Sequence, residues 1–316
     1  MHTHSSIMVS MNRLNPQKRA QVLAALCEGN SIRSTVRMTG VAKNTVVKLL
    51  VEVGAACSRY MDGSLRNLRC RRVQVDEIWS FVYSKDKNIP DERQGEFGVG
   101  SVWTWTAIDA ETKLIPAWLV GTRDAGSATE FVQDLAGRLA CRVQLTSDGH
   151  KAYLNAVEDA FGEDIDYAML VKLYGAEPPQ EARYSPAVCI GTRTRVISGV
   201  PDPKHISTSY AEGQNLTMRM SMRRFTRLTN AFSKKLENHV AALALYFMYY
   251  NFVRIHQSLR ITPAMAAGVT DRVWEIADIV RMVERREEAL HYAKRNPSDG
   301  GLVGTGLKSV SPESPE

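Results

Sequence analysis

The first fifty residues of the chain follow a helical pattern of apolar and polar positions. Asn15, followed by a proline, is typical of a helix start, and apolar side chains then recur at helical spacing until Gly29. Ser31 predicts the cap of a short second helix that ends at Gly40, and a third helix is expected over 42–54. Helix, short helix, glycine turn and helix form the helix-turn-helix pattern.

The third helix of this pattern is the candidate DNA reader. In helix-turn-helix geometry it enters the major groove, and its first residues face bases and phosphates. Those residues are Lys43, Asn44, Thr45 and Lys48. The alternative is a small helical bundle that binds protein.

The middle of the chain changes to the period of β-strands. Strands are predicted over 73–86, over 98–121 as a pair with a turn at Asp109–Lys113, over 141–149 and over 164–174. Helices are predicted over 127–140, with Ser127 at the cap, and over 151–162. Three antiparallel strands followed by helix, strand, helix and strand are the order of an RNase H-like fold. We expect an α/β protein with an RNase H-like core, a mixed five-stranded sheet with helices, preceded by an all-α helix-turn-helix domain.

The last third of the chain is mostly helical after an irregular stretch. Five of the twelve prolines lie between Pro178 and Pro203, which predicts an insertion at about 175–206 with a hairpin around Ala187–Val196. Helices are expected over Ser209–Asn230, over Leu236–Tyr250 and within 263–294. The predicted domains are a flexible N-terminus (1–14), a helix-turn-helix domain (15–63), a basic linker (64–72), a catalytic domain (73–268), a C-terminal helix (269–295) and a disordered tail (296–316).

Composition favours a globular protein of two domains. Of the 316 residues, 44% are hydrophobic and 23% are charged, and no apolar stretch is long enough to span a bilayer. We expect no signal peptide and no membrane partner. The five cysteines form no CxxC pair, which argues against a zinc ribbon and for a reducing, cytoplasmic location.

Charge is distributed unevenly along the chain. Residues 1–72 contain twelve Lys/Arg and three Asp/Glu, and residues 213–236 contain six Lys/Arg and no acid. Basic blocks of this kind favour a polyanion such as nucleic acid, because neutralised phosphates release counterions. Arg69 and Arg71, in the predicted linker, could follow a DNA backbone. The alternative is that these helices merely present solvated faces.

Three carboxylates together suit a metal site, although each of them alone is more often a satisfied structural residue. Asp76 lies inside an apolar strand, Asp148 ends another strand before Gly149, and Glu212 begins the basic helix. The order of elements would bring the two strands side by side with the helix across them. Divalent cations relieve the repulsion of clustered carboxylates, and oxygen ligands suit two ions of Mg²⁺ or Mn²⁺. Two such ions catalyse phosphodiester chemistry. Glu77, the neighbour of Asp76, must point to the opposite face.

The helix that begins near Glu212 carries a basic face. At 100° per residue, one side presents Glu212, Asn215, Arg219, Arg223 and Arg227. The opposite side presents Met218, Met222, Phe225 and Leu228 towards a core. An acid and a row of arginines on one side suit a site that cuts DNA, although an ordinary amphipathic helix has the same pattern. His205, before this helix, is a candidate to orient a water or a phosphate.

Three segments together resemble the IS-one family of bacterial insertion-sequence transposases. They are VQVDEIWSF, LTSDGHKAY and YAEGQNLTMRMSMRRFTRLTNAFSKKLENHVAALALYFMYYNF, and the likeness covers roughly 66–268. It implies a DDE enzyme with an RNase H-like domain and two metal ions, with its acids at Asp76, Asp148 and Glu212. The segment YNFVRIHQSLRITPAMAAG resembles a C-terminal signature of related transposases and integrases, with His256 and Pro263 at matching positions.

Two features depart from the family. Its small members carry paired N-terminal cysteines that bind zinc, and this chain has none, which leaves the helix-turn-helix to recognise DNA ends. Sixty-three residues separate Asp148 from Glu212, and the proline-rich insertion accounts for the excess.

These observations predict a DNA transposase of the bacterial cytoplasm, associated with the nucleoid. It would bind the inverted repeats of its element through 15–54, cut at the element end and join the 3′-OH to target DNA. Its partners would be double-stranded DNA and further copies of itself, at least a dimer. The alternatives are a transposase-derived DNA-binding protein without catalysis and a metal-dependent nuclease that cuts without joining.

Overall fold

The computed structural model of the chain describes residues 14–175, 189–226 and 230–295. Within these ranges the helices are α1 Pro16–Cys27, α2 Ile32–Thr39, α3 Lys43–Ser64, α4 Ala125–Ala136, α5 Ala152–Phe161, α6 Ser209–Ser221, α7 Leu236–Met248, α8 Pro263–Ala266 and α9 Ile276–Arg295. The strands are β1 Arg72–Val82, β2 Gly100–Asp109, β3 Trp118–Gly121, β4 Val143–Ser147, β5 Ile165–Tyr174 and β6 Cys189–Ser198. The predicted tail at 296–316 and residues 1–13 of the predicted flexible N-terminus lie outside the described residues.

The described strands form one mixed sheet in the order β3-β2-β1-β4-β5-β6. The pairs β1–β2 and β2–β3 are antiparallel, β4 is parallel to both β1 and β5, and β6 returns antiparallel to β5. The predicted α/β class and mixed sheet are confirmed. The predicted number of five strands is wrong, because Cys189–Ser198 adds a sixth strand at the edge.

The edge strand β6 comes from the segment predicted as an insertion. Most of its side chains are exposed and none is buried, so it has no alternating apolar face that would mark it as a strand in the sequence. It pairs with β5, from Tyr174 opposite Cys189 to Tyr167 opposite Ser198, and so is not part of a separate hairpin at Ala187–Val196. Residues 176–188 of the predicted insertion lie outside the described residues.

Helices cover both faces of the sheet. Trp105 on β2 packs against Phe131 of α4 and Tyr153 of α5, which places these two helices on one face. On the other face, α6 crosses β1, and Gln214 of α6 donates a 3.0 Å hydrogen bond to the Tyr246 hydroxyl of α7. The cap of α4 is Asp124, whose carboxylate accepts from the Ser127 amide at 2.9 Å, so the prediction of Ser127 as the cap is wrong.

The first three helices begin where the sequence predicts. The side chains of Asn15 and Ser31 accept backbone hydrogen bonds at the starts of α1 and α2. Gly40 ends α2 with a positive φ of 69°, as a left-handed cap requires. However, α3 continues ten residues beyond Gly54, so the predicted end of the third helix is wrong.

Gly54 has a packing role rather than a capping role. A Cβ at this position would lie 2.5 Å from the Cα of Ala241 and 2.6 Å from its carbonyl oxygen, so the backbones of α3 and α7 are almost in contact. The chain after α3 stays in the same hydrophobic core as the sheet, since Leu65, Leu68 and Cys70 are buried there. The predicted linker segment therefore alternates buried apolar side chains with exposed arginines.

The last described helices enclose the core at the end of α3. Helix α7 continues as a π-helical turn over Tyr249–Val253, and Phe252 packs there against Tyr60 of α3 and Trp274. Helix α9 reaches α1, where Arg19 donates to Glu287 at 3.1 Å. Among the helices that the structure describes, none has the length and apolar character needed to cross a bilayer.

The close contact of α3 with α7 predicts an unusual response to alanine. Gly54→Ala should destabilise the protein by about 1–3 kcal/mol, because the added methyl group meets backbone atoms that cannot move aside. Helix propensity alone would favour alanine by about 1 kcal/mol. Gly63→Ala, in the same helix with nothing within 4 Å, is the matched control and should leave the protein as stable or slightly more stable. Urea unfolding measures both variants, and a stabilised Gly54→Ala protein would contradict the packing.

Candidate active site

The three predicted acids line one cleft of about 710 Å³. Asp76 lies in β1, Asp148 follows the last residue of β4, and Glu212 lies in the first turn of α6. Because β1 and β4 are parallel neighbours, both chains run towards the same edge of the sheet. The side-chain oxygen of Gln74 in β1 fixes the start of α6, since it accepts from the Tyr210 amide at 2.7 Å.

The surroundings of Asp76 raise its pKa. Its Oδ1 accepts from the Glu77 amide and its Oδ2 accepts from Nδ2 of Asn215, both at 2.8 Å. Burial, and then the negative charges of Glu77, Asp148 and Glu212, together raise the pKa of Asp76 to about 7. Holding Asp76 ionised is therefore unfavourable until positive charge enters the cleft.

The other two acids already have partners. The Oδ1 of Asp148 accepts from the His150 amide at 2.9 Å, which shapes the turn after β4. Glu212 accepts from the Thr208 hydroxyl at 2.5 Å and forms an ion pair with Lys172 of β5. The hydrogen bond that the Lys172 ammonium group donates to Glu212 raises the pKa of Lys172. Glu212 is therefore turned towards Lys172 rather than towards Asp76.

The donor set fits a hard divalent cation. It consists of carboxylate oxygens, and Oδ1 of Asn215, beside Asp76, is a buried acceptor that has no hydrogen-bond partner among the described residues. The described residues contain no group of three His, Cys, Asp or Glu side chains already close enough to hold a metal. The acids thus line the cleft without forming a ready-made coordination sphere, and Lys172 would have to release Glu212 before that carboxylate could act as a ligand.

Glu77 occupies the opposite face of β1, as strand alternation requires. Its carboxylate accepts from the Tyr153 hydroxyl at 3.1 Å and from Nε of Arg123 at 2.8 Å. Arg123 and Lys172 also line the cleft, and neither is among the site residues predicted from the sequence. Neither stands in a motif: Arg123 follows a four-residue strand, and Lys172 lies in a strand, 40 positions before the acid that it contacts.

Among the described residues, the predicted row of arginines beside Glu212 is interrupted after Arg219. Helix α6 ends at Ser221, and Met222 is extended with φ −125° and ψ 112°, so the prediction of a helix over Ser209–Asn230 is wrong. Arg223 belongs to a separate 3₁₀ turn, because Met222 and Phe225 are buried in the core and redirect the chain. Arg227 lies outside the described residues. Of the three arginines in the predicted row, Arg219 is the one that lies in α6 together with Glu212.

The remaining candidate residues lie away from the cleft lining. At the start of α3, Lys43, Asn44 and Lys48 are exposed and Thr45 is half-buried; Lys48 faces Glu52 at 3.8 Å. Arg69 and Arg71 are exposed as well.

The two candidate histidines have local partners. The ring Nδ1 of His205 is 2.7 Å from Asp202, and the ring of His256 shares a hydrogen bond with Ser258 at 3.1 Å. Burial, then Lys113 and Arg254, lowers the pKa of His256. Neither histidine is among the described residues that line the cleft.

No protein-family model matches this sequence, and no curated protein matches it. Among solved structures, the chain is similar to piggyBac transposase in a synaptic complex with hairpin DNA, with 10% identity, a TM-score of 0.41, and 98% of this chain and 82% of that chain covered. It is also similar to the Mos1 mariner transposase in a paired-end complex with Mn, with 11% identity, a TM-score of 0.25, and 75% and 78% covered. A second Mos1 paired-end complex gives 13% identity, a TM-score of 0.18, and 47% and 57% covered.

These structural neighbours are transposases, but the likeness is too low to carry an argument about the chemistry of this chain. The comparisons do not support the finer resemblance to the IS-one family.

The buried charge of Asp76 predicts how stability depends on pH in metal-free protein. An acid whose pKa is raised by folding binds its proton more tightly in the native state, so stability falls as pH rises from 4 through 7. Asp76→Asn should remove this pH-dependent loss of stability, because asparagine does not ionise. It should match the parent near pH 4 and exceed it by roughly 2–4 kcal/mol at pH 8. Denaturant unfolding in EDTA across this range measures the difference.

Asp166→Asn provides a control of opposite sign. Its hydrogen bond with Arg142 lowers the pKa of Asp166, so the carboxylate stabilises the fold above pH 4 and loses that effect as pH falls below its folded pKa. Asp166→Asn should therefore be less stable than the parent at pH 7, and the gap should close in acid. A stability difference for Asp76→Asn that does not change with pH would contradict the buried-charge account.

Proposed function

We propose that this protein is a DNA transposase that cuts and joins phosphodiesters with divalent metal ions at the cleft of Asp76, Asp148 and Glu212. The observation that supports the proposal best is that three acids, far apart in the sequence, line one cleft. The described lining also includes three cations, Arg123, Lys151 and Lys172. Carboxylates that can hold metal, set among cations that can bind phosphates, suit phosphoryl transfer on a polyanion.

The proposed reaction has two steps. First, the oxygen of a water bonds to phosphorus at the element end, and the bond to the 3′ oxygen breaks to give a 3′-OH. That 3′-OH then bonds to phosphorus in target DNA, and a second 3′ oxygen leaves. When bound, Mg²⁺ or Mn²⁺ would activate the attacking oxygen and stabilise the leaving one. This proposal includes two finer assignments: an RNase H-like DDE core and membership of the IS-one family.

The chain's own residues would position the metal ligands. The Glu77 amide and Asn215 hold Asp76 in a fixed orientation through both of its oxygens. Gln74 ties the start of α6, and hence Glu212, to the same strand. Lys172 neutralises Glu212 in the free protein, and a DNA phosphate is a suitable alternative partner for its ammonium group. Incoming DNA would thus help to release Glu212.

DNA recognition is proposed to belong to the helices before the sheet. Lys43 and Asn44 project into solvent at the start of α3, as a reader of the major groove would need. Joining two element ends to one target requires two cutting sites, so we propose at least a dimer on DNA, within the bacterial cytoplasm.

Two alternatives compete with this proposal. A DNA-binding protein without catalysis would have no use for Asp76, whose charge is costly to hold in the fold. A nuclease that cuts without joining would use the same cleft in the same way. Only the products separate a nuclease from a transposase, since joining leaves covalent links between donor and target strands.

The acids provide the direct test of the proposed function. Asp76→Asn, Asp148→Asn and Glu212→Gln should each reduce Mg²⁺-dependent cleavage of an end-containing duplex by at least about 100-fold. Binding of the same duplex should stay near that of the parent, because these carboxylates are proposed to hold metal rather than DNA. Single-turnover cleavage and gel-shift titration measure the two effects.

A matched control for charge is Asp164→Asn. Its carboxylate is 80% exposed and lies outside the cleft, so cleavage by this variant should equal that of the parent. Near-parental cleavage by any of the three cleft variants removes that acid from the proposed metal site. Parent protein that binds DNA but never cuts it would favour the binding-only alternative.

The start of α3 provides a test of recognition. Replacing Lys43, Asn44 and Thr45 with alanine should abolish the preference for element ends over random duplex, because base contacts specify sequence while phosphate contacts position the protein. The fold should be unaffected, since none of the three side chains is buried. Competition gel shifts measure the preference. A triple variant as selective as the parent would mean that another element reads the DNA.

A further inference from the structure

Glu77 is a buried acid that the proposed metal site does not use. Its side chain is only 1% exposed, and it lies next to Asp76 in the strand. Burial and the charge of Asp148 both raise the pKa of Glu77, so its negative charge is unfavourable at this position. A glutamate buried at such a position needs a partner whose interaction offsets the cost of burying its negative charge.

The partner is Arg123, and Glu77 fixes its guanidinium. Both Nε and Nη2 of Arg123 lie 2.8 Å from the same carboxylate oxygen of Glu77. The guanidinium also lies over the ring of Trp103, at 4.8 Å from its centroid. The other oxygen of Glu77 accepts from Tyr153, so the carboxylate is held from both sides. Contacts on two sides leave the guanidinium little freedom to rotate.

The backbone around Arg123 is fixed as well. The Thr122 carbonyl accepts from the ring nitrogen of Trp105 at 3.0 Å, and Asp124 caps α4. Arg123 therefore stands between two anchored residues rather than in a free loop. Its side chain nevertheless remains 42% exposed and lines the cleft with Asp76 and Asp148.

An arginine has five N–H donors, and Glu77 engages only the edge formed by Nε and Nη2. Within the part of the chain that the structure describes, this guanidinium donates to no acceptor other than Glu77. The remaining donors are held in a fixed fork at the wall of a cleft that also contains the carboxylates. Phosphate oxygens match this fork in geometry and charge.

We propose that Arg123 is a phosphate-binding residue of the cleft: it binds a non-bridging oxygen of the phosphodiester beside Asp76 and Asp148, while Glu77 positions it. The inference rests on the proposed function, because it names the group of the DNA that the cleft holds. It also explains the burial of Glu77. The positive charge of Arg123 also offsets part of the repulsion between the acids of this wall and the phosphate that they must approach.

The first experiment measures binding of a random-sequence 20-bp duplex in EDTA at a series of salt concentrations. Arg123→Ala should lower the slope of log K against log salt by about 0.9, which corresponds to one lost phosphate contact. The double variant Glu77→Gln plus Arg123→Ala has the same net charge as the parent. It should show the same decrease of slope, because both variants lose the contact between Arg123 and a DNA phosphate. A long-range effect of net charge would instead leave the slope of the double variant unchanged. Thermal unfolding checks that both variants fold.

Arg142 provides a matched control in the same sheet. It donates to Asp166 at 2.9 Å, its side chain is also 42% exposed, and it precedes β4, at the opposite end of the strand from Asp148. The pair of variants Arg142→Ala, alone and with Asp166→Asn, should keep the parental slope.

The second experiment separates charge from geometry. Arg123→Lys keeps one positive charge beside Glu77 but loses the planar fork. It should keep the parental salt slope while lowering single-turnover cleavage about 10-fold or more, because a misplaced phosphate loses its orientation for attack.

Each outcome has a distinct meaning. A parental slope in both Arg123→Ala and the double variant overturns the assignment of Arg123 and leaves the proposed function intact. Equal decreases of slope in Arg123→Ala and Arg142→Ala also overturn the assignment, since they would mean that DNA binding responds to the overall charge of the protein and not to a contact in the cleft. A parent protein without affinity for DNA overturns the proposed function together with this inference.

Discussion

The fold of this protein must accommodate a carboxylate inside its central sheet. Asp76 lies midway along β1, where burial and neighbouring acids oppose its ionisation. The surrounding residues limit that cost. The Glu77 amide and Asn215 each donate to one carboxylate oxygen, and α6, which carries Asn215, is fixed to β1 through Gln74. The position of α6, and with it of Glu212, follows from the same contacts that satisfy Asp76.

The acids on the two faces of β1 have different kinds of bonded partners. On the α6 face, Asp76 has neutral hydrogen-bond donors and no cation among its bonded partners in the described residues. On the α5 face, Glu77 has both Arg123 and Tyr153. Glu212, at the far wall, is paired with Lys172. Of Asp76, Glu77 and Glu212, Asp76 is therefore the one without a cationic partner among the described residues, so its charge is the least neutralised.

The helical segment before the sheet is joined firmly to it. The glycine contact between α3 and α7 brings two backbones together, and Arg138 donates to the carbonyl of Leu65 and to Asp62, which links the end of α3 to the chain after α4. A DNA-reading helix with this support would move with the sheet rather than on a flexible tether. Recognition at the start of α3 and chemistry at the cleft would then share one rigid frame.

The sequence by itself determined the order of the main helices and of the first five strands, the α/β class and the elements that carry the three acids. Those features follow from local signals: the period of apolar residues, capping residues such as Asn15, and a charge inside an apolar strand. It could not determine that α3 passes Gly54, that α6 stops at Ser221, or that β6 joins the edge of the sheet. Packing against distant elements decided all three. The pairs Glu77–Arg123 and Lys172–Glu212 also join residues 46 and 40 positions apart, so no spacing rule could reveal them. Only the tertiary structure decides such contacts, because the free energy of a charge depends on what surrounds it in space rather than on its neighbours in the chain.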